Sequence, residues 1–97
     1  MKYEFAAVPF YYLDNPANTW VFISLPKELT QEIRAGHKWQ EEGWGRLKII
    51  AQVGVTEWKT SIWFDTKYGT YLLPVKAEIR KKEKVGIGMA VQAAVWI

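Results

Sequence analysis

Two Leu-Pro steps, Leu25-Pro26 and Leu73-Pro74, lie 48 residues apart in a chain of 97. A residue before proline is driven into extended geometry, whereas proline itself suits the first turn of a helix, where its missing N–H is no loss. Each step follows a β-branched and aromatic run, 19–25 or 69–73, and precedes an apolar pair four apart, Leu29 with Ile33 or Val75 with Ile79. The pattern predicts that strand gives way to helix twice, with helices near 26–35 and 74–84 that stop near Gly36 and Gly86. A strand-Leu-Pro-helix unit that recurs at half the chain length is the mark of an internally duplicated fold.

Strand signals fill the rest. Residues 3–12 are rich in aromatic and small apolar side chains, and the turn cluster Asp14-Asn15-Pro16-Ala17-Asn18 separates them from 19–25, so the pair reads as a hairpin or meander. Over 46–55, Arg46, Lys48 and Gln52 alternate with Leu47, Ile49, Ala51 and Val53, interrupted by Ile50. Over 57–65, Trp58, Thr60, Ile62 and Phe64 share one face; Glu57, Lys59, Ser61 and Asp65 share the other, with Trp63 as the misfit on that polar side. Strands at 69–73 and 89–97 complete a mainly β set of six or seven.

At this size a single domain, 1–97, buries about 60 to 65% of its unfolded surface, so its core must be efficient. Six Trp, five Tyr and four Phe are the expected means, many of them inside. With no cysteine, disulfides and thiolate metal sites are excluded. Met1-Lys2-Tyr3-Glu4-Phe5 alternates instead of forming a signal-like apolar stretch, no uncharged run approaches the length of a membrane span, and a cytoplasmic protein is expected.

The formal charge of +3 is concentrated at 76–84, where Lys76, Arg80, Lys81, Lys82 and Lys84 face only Glu78 and Glu83. With Val75 and Ile79 turned inward, these cations occupy the solvent side of a helix, Glu78 stands four before Lys82, and several cations crowd the last turn, where the helix dipole favours them. Gly86-Ile87-Gly88 lacks the third glycine of a dinucleotide fingerprint, since position 91 is Val. His37 with Glu41 and Glu42 falls short of the three ligands of a catalytic zinc, and Gly36 reads as the helix end, which leaves His37 in an exposed loop.

The residues Gly43-Trp44-Gly45, Trp58-Lys59-Thr60-Ser61-Ile62, Tyr71-Leu72-Leu73-Pro74-Val75-Lys76 and Arg80-Lys81-Lys82-Glu83 resemble the domain of unknown function 1905 family over nearly the whole chain. The resemblance implies a small closed double-split β-barrel with two short α-helices. That fold is also used by AbrB-type transition regulators and antitoxins, which assemble it from two chains; here one chain would supply both halves as an internal pseudo-twofold repeat. Gly88-Met89 stands where relatives tend to carry Gly-Asp. The resemblance carries no catalytic residue or substrate.

We therefore expect a noncatalytic binding or interaction module, a monomer or weak homodimer that meets a protein or small-molecule partner and no membrane. No cofactor, metal or catalytic centre is expected. The candidate contacts are Trp44, set between glycines, Trp63 with Lys48 and Lys59 on one sheet face, and Arg80 in the basic helix. Nucleic-acid binding is the alternative reading, disfavoured because Glu57 and Asp65 share the cationic face; an enzyme with an unrecognised site is the second alternative.

Overall fold

The computed structural model describes residues 1–17 and 20–97, and the side chains of all of these except Lys38 and Trp44. Asn18 and Thr19, the end of the expected turn and the start of the expected strand, lie outside the described residues. Seven strands form one antiparallel sheet: β1 (Lys2–Ala7), β2 (Phe10–Tyr11), β3 (Val21–Ser24), β4 (Arg46–Val53), β5 (Thr56–Asp65), β6 (Thr70–Pro74) and β7 (Val91–Trp96). Helix α1 (Lys27–His37) follows β3 and α2 (Ala77–Glu83) follows β6.

The strand order is β1-β7-β4-β5-β6-β3-β2. The run expected as one strand over 3–12 is thus two strands on opposite edges of the sheet. Pro9 explains the break, because it has no N–H to give a ladder and forces extended geometry on Val8. Three residue steps from Ala7 to Phe10 reach at most about 11 Å. The two edges therefore meet at this corner, and the sheet curls into a half-barrel.

Both Leu-Pro steps behave as switch points. Leu25 and Leu73 are fully buried, β3 and β6 run antiparallel with Ser24 opposite Leu72, and the backbone N–H groups of Leu25 and Val75 donate to Tyr71 and Val21, both at 2.9 Å. This second bond delays α2. Pro74 still pairs with Phe22 and Lys76 is extended (ψ 152°), so the helix starts at Ala77. It ends at Lys84, which takes the left-handed conformation (φ 54°), rather than at Gly86. Helix α1 instead runs through Gly36 to His37.

Inside the curl lie Tyr3, Phe5, Ile23, Leu25, Leu47, Ile49, Ala51, Val53, Ile62, Tyr71, Leu73, Ala93 and Val95, sealed by Ile33 from α1 and Ile79 from α2. This core is aliphatic with three rings. The expectation of a core packed with indoles is wrong: among the described tryptophans, Trp58, Trp63 and Trp96 are half-buried, while Trp20 and Trp39 are 63% and 82% exposed. Inner positions at 3.4 Å rise in a curled sheet are filled by branched chains, which leaves the larger rings for the rim and the outer face. There Phe10, Tyr12, Trp20, Phe22, Trp63 and Tyr68 form a second cluster, with Phe22 at its centre 5.2 Å from Trp63 and stacked 6.2 Å from Trp20.

Candidate binding face

The β4–β5 hairpin sets the site. Val53 pairs with Thr56 across a two-residue loop whose first position, Gly54, has φ +59°, the conformation that a hairpin with glycine leading its turn requires. That turn fixes every pair above it: Gln52 with Glu57, Ile50 with Lys59, Lys48 with Ser61 and Arg46 with Trp63. A slip by one residue would turn the cations inward. With this register, Arg46, Lys48 and Lys59 line a single open cleft of about 470 Å³ beside the Trp63 indole.

The row continues across the sheet. Ile50, paired with Lys59 on one side, pairs with Trp96 of β7 on the other, and Trp96 pairs with Lys2 of β1. A smaller hollow of about 320 Å³ joins Lys48 and Lys59 to Trp96, and the Lys2 ammonium lies 4.9 Å from the Trp96 ring centre. From strand spacing and rise, Trp63 and Trp96 stand roughly 17 Å apart, with the cations between them.

The acids on this face are mostly engaged. Asp65, expected to oppose the cations, is turned into the end of β5 and buried. Its Oδ2 accepts from the Tyr12 hydroxyl at 2.6 Å, and its Oδ1 from the backbone N–H of Lys67 (2.8 Å) and Tyr68 (3.0 Å). Burial acts to raise its carboxyl, but the hydrogen bonds from Tyr12, Tyr68 and Lys67 outweigh it and hold the group below the usual carboxylate range. In return, the bond to Asp65 and burial push the Tyr12 phenol up to about 12. Glu42 reaches Lys48 at 3.8 Å, an exposed and weak pair. Glu57 lies one row below, opposite Gln52.

Of the residues singled out from sequence, Lys48, Lys59 and Trp63 come together. Arg80 does not line the cleft; its Nε donates to the Val75 carbonyl at 3.1 Å, tying the side chain to its own helix start. Trp44 lies outside the described side chains. His37 is not a loop residue: it ends α1, half-buried, with Nδ1 3.1 Å from the Gln40 amide nitrogen and Nε2 3.2 Å from the Tyr3 hydroxyl. Among the described residues no group of three His, Cys, Asp or Glu is placed to hold a metal ion, and no helix is long and apolar enough to cross a membrane. Alternation along the last strand points Trp96, like Trp63, away from the apolar face; its place in this row comes from the β4–β7 register.

A family model described as Domain of unknown function (DUF1905) matches residues 5–95. The chain belongs to this family. DUF1905 membership accounts for nearly the whole chain and brings no assigned chemistry, so the functional reading rests on the face itself. No curated protein matches this DUF1905 chain.

Proposed function

We propose that this protein is a noncatalytic binding module whose outer β5-β4-β7 face takes a short stretch of single-stranded nucleic acid. One observation carries the reading: the hairpin register that gathers Arg46, Lys48 and Lys59 in one cleft against Trp63, with Trp96 at the far end of the row. A flexible polyanion with planar bases is recognised by cations that release its counterions and by rings on which bases stack, without sequence readout. The withdrawal of Asp65 into its turn takes one of the two opposing acids away from the cations, and Glu57 stands one row below them. The test is a fluorescence anisotropy titration with labelled oligo(dT) and oligo(rU) at low and physiological salt. Saturable binding that weakens with salt and with Lys48→Ala is the expected result; no binding at low salt would end the proposal.

A protein partner is the second reading, favoured by Trp20, exposed over the Phe22 cluster next to Trp63. Trp20→Ser leaves oligonucleotide binding intact under the first reading and removes the contact under the second.

We also infer a closed, internally duplicated barrel. Ser24 faces Leu72, residues 48 apart, so the local dyad of the β3–β6 pair falls on equivalent positions of the two Leu-Pro units, which supports the duplication. The β5 positions of the binding face, Lys59, Ser61 and Trp63, correspond to Tyr11, Leu13 and Asn15 in the first half. A duplicated framework would thus carry its binding face once, consistent with a monomer at work.

A further inference from the structure

On the other side of Trp63, between the last turns of α1 and the end of β5, lies a separate cleft of about 660 Å³. Arg34 and Glu41 line it, with Trp63 and Phe64 as apolar wall and Gly45 at its edge. The Arg34 guanidinium lies on the Phe64 ring, its carbon 3.9 Å from the ring centre. Phe64 is held in turn edge-on by the buried Tyr71, 5.9 Å away. A guanidinium resting on a ring face can still direct N–H groups outward, and its planar fork is able to grip a carboxylate with two parallel bonds. Among the described residues the Arg34 guanidinium has no ion pair and no hydrogen-bond acceptor, which leaves this fork for a ligand.

Glu41 is fixed in place. Its Oε2 accepts from the Tyr71 hydroxyl, whose titration burial, together with the Glu41 bond and charge, pushes far up, while the Arg34 charge acts in the opposite sense. Both charges therefore bear on one buried phenol, yet they do not pair with each other. The other oxygen, Oε1, is turned toward Gly45, where a side chain would sit 3.5 Å from it and 3.3 Å from the Phe64 Cβ. Gly45 has φ +68°, and its missing side chain keeps that edge of the cleft open.

An unpaired cation and a half-used carboxylate across one aromatic-walled cleft define a complement: a molecule with an anion at one end of a short spacer, a cation at the other, and an apolar body. We propose that this cleft binds a small ring-bearing amino carboxylate, its carboxylate on Arg34, its ammonium on Glu41 Oε1 and its ring against Trp63. The site shares the Trp63 ring with the sheet-face cleft but none of its cations, and its two charged poles do not depend on the sheet-face reading.

The test follows amide resonances of 15N-labelled protein during titration with L-phenylalanine, and with phenylacetate and phenethylamine, which each lack one charge. Phenylalanine should give saturable shifts at residues 34, 41, 45 and 63–65, and each single-charge analogue should bind about tenfold or more weakly. Arg34→Gln should abolish the phenylalanine shifts while the folded amide spectrum and oligo(dT) binding stay as in the parent protein, and Arg34→Lys should restore them only in part. Glu41→Gln checks the other pole: it should remove the preference for phenylalanine over phenylacetate. No saturable shift with phenylalanine, equal affinity for all three probes, or unchanged binding by Arg34→Gln would each overturn the proposal.

Discussion

The Glu83 carboxylate, on the last turn of α2, accepts a hydrogen bond from the Thr56 hydroxyl at 2.5 Å and rests against Gly54 of the β4–β5 turn. Helix and hairpin are thereby joined at the residue pair that sets the register of the cationic face.

Gly54→Ala should destabilise for two reasons. The position needs φ +59°, which costs an L-residue about 1–2 kcal/mol, and the new methyl group falls on the Glu83 carboxylate. Glu83 can swing away only by giving up Thr56, a loss of about 1 kcal/mol more. Thermal unfolding should show a melting temperature lower by on the order of 10 °C. Thr56→Val, which keeps the turn, should cost about half as much.

Acid and alkali should each unlock the Tyr12–Asp65 contact. Asp65 has its folded pKa lowered, so its contribution is present above the unfolded carboxyl pKa, about 3.9, and is lost as pH falls through the lower folded value. Tyr12 has its folded pKa raised to about 12, so its contribution is complete below the unfolded value near 10 and is lost between there and pH 12. Urea midpoints of the parent protein should fall in both windows. Asp65→Asn should be less stable at pH 7, and its deficit should shrink at the acid end.

Lys84→Gly should stabilise. Lys84 holds the left-handed conformation that ends α2, and glycine adopts it without the clash that a side chain brings. A gain of about 0.5–1 kcal/mol is expected, visible as a higher urea midpoint at unchanged slope.

On the binding face, lysines and rings should separate in their effects. Lys48→Ala and Lys59→Ala should each weaken oligonucleotide binding and reduce the slope of log affinity against log salt by about 0.7. Trp63→Ala should cost about 1–3 kcal/mol and leave that slope unchanged. Anisotropy titrations across a salt series distinguish the two.

Period-two alternation along 46–53 and 56–65 was enough to put Lys48, Lys59 and Trp63 on one face, because parity in a hairpin is a local property. The switches at Pro26 and Pro74 were equally local. What escaped was everything set by distant partners. Nothing near Ala7 says that β1 pairs with β7 while β2, two residues on, pairs with β3. Arg34, Glu41, Phe64 and Tyr71 come from four segments, and their meeting is a product of the curl. Gly36 looked like a helix end, yet it has open space around it and no left-handed requirement, so α1 ran on and carried His37 against Tyr3. The basic run is the solvent side of α2, as its apolar pair implied, and within it Arg80 is bonded through Nε to its own backbone.

Among the described residues β1 has one ladder partner, β7, and its register joins Lys2 to Trp96. During synthesis β1 thus waits unpaired until β7 has left the ribosome, whereas β4, β5 and β6 pair with near neighbours in turn. Such long-range closure slows folding and exposes an unpaired edge meanwhile. β1 should be the last strand to gain protection in pulse-labelled refolding, so the sheet completes this edge only when its most distant pair of strands meets.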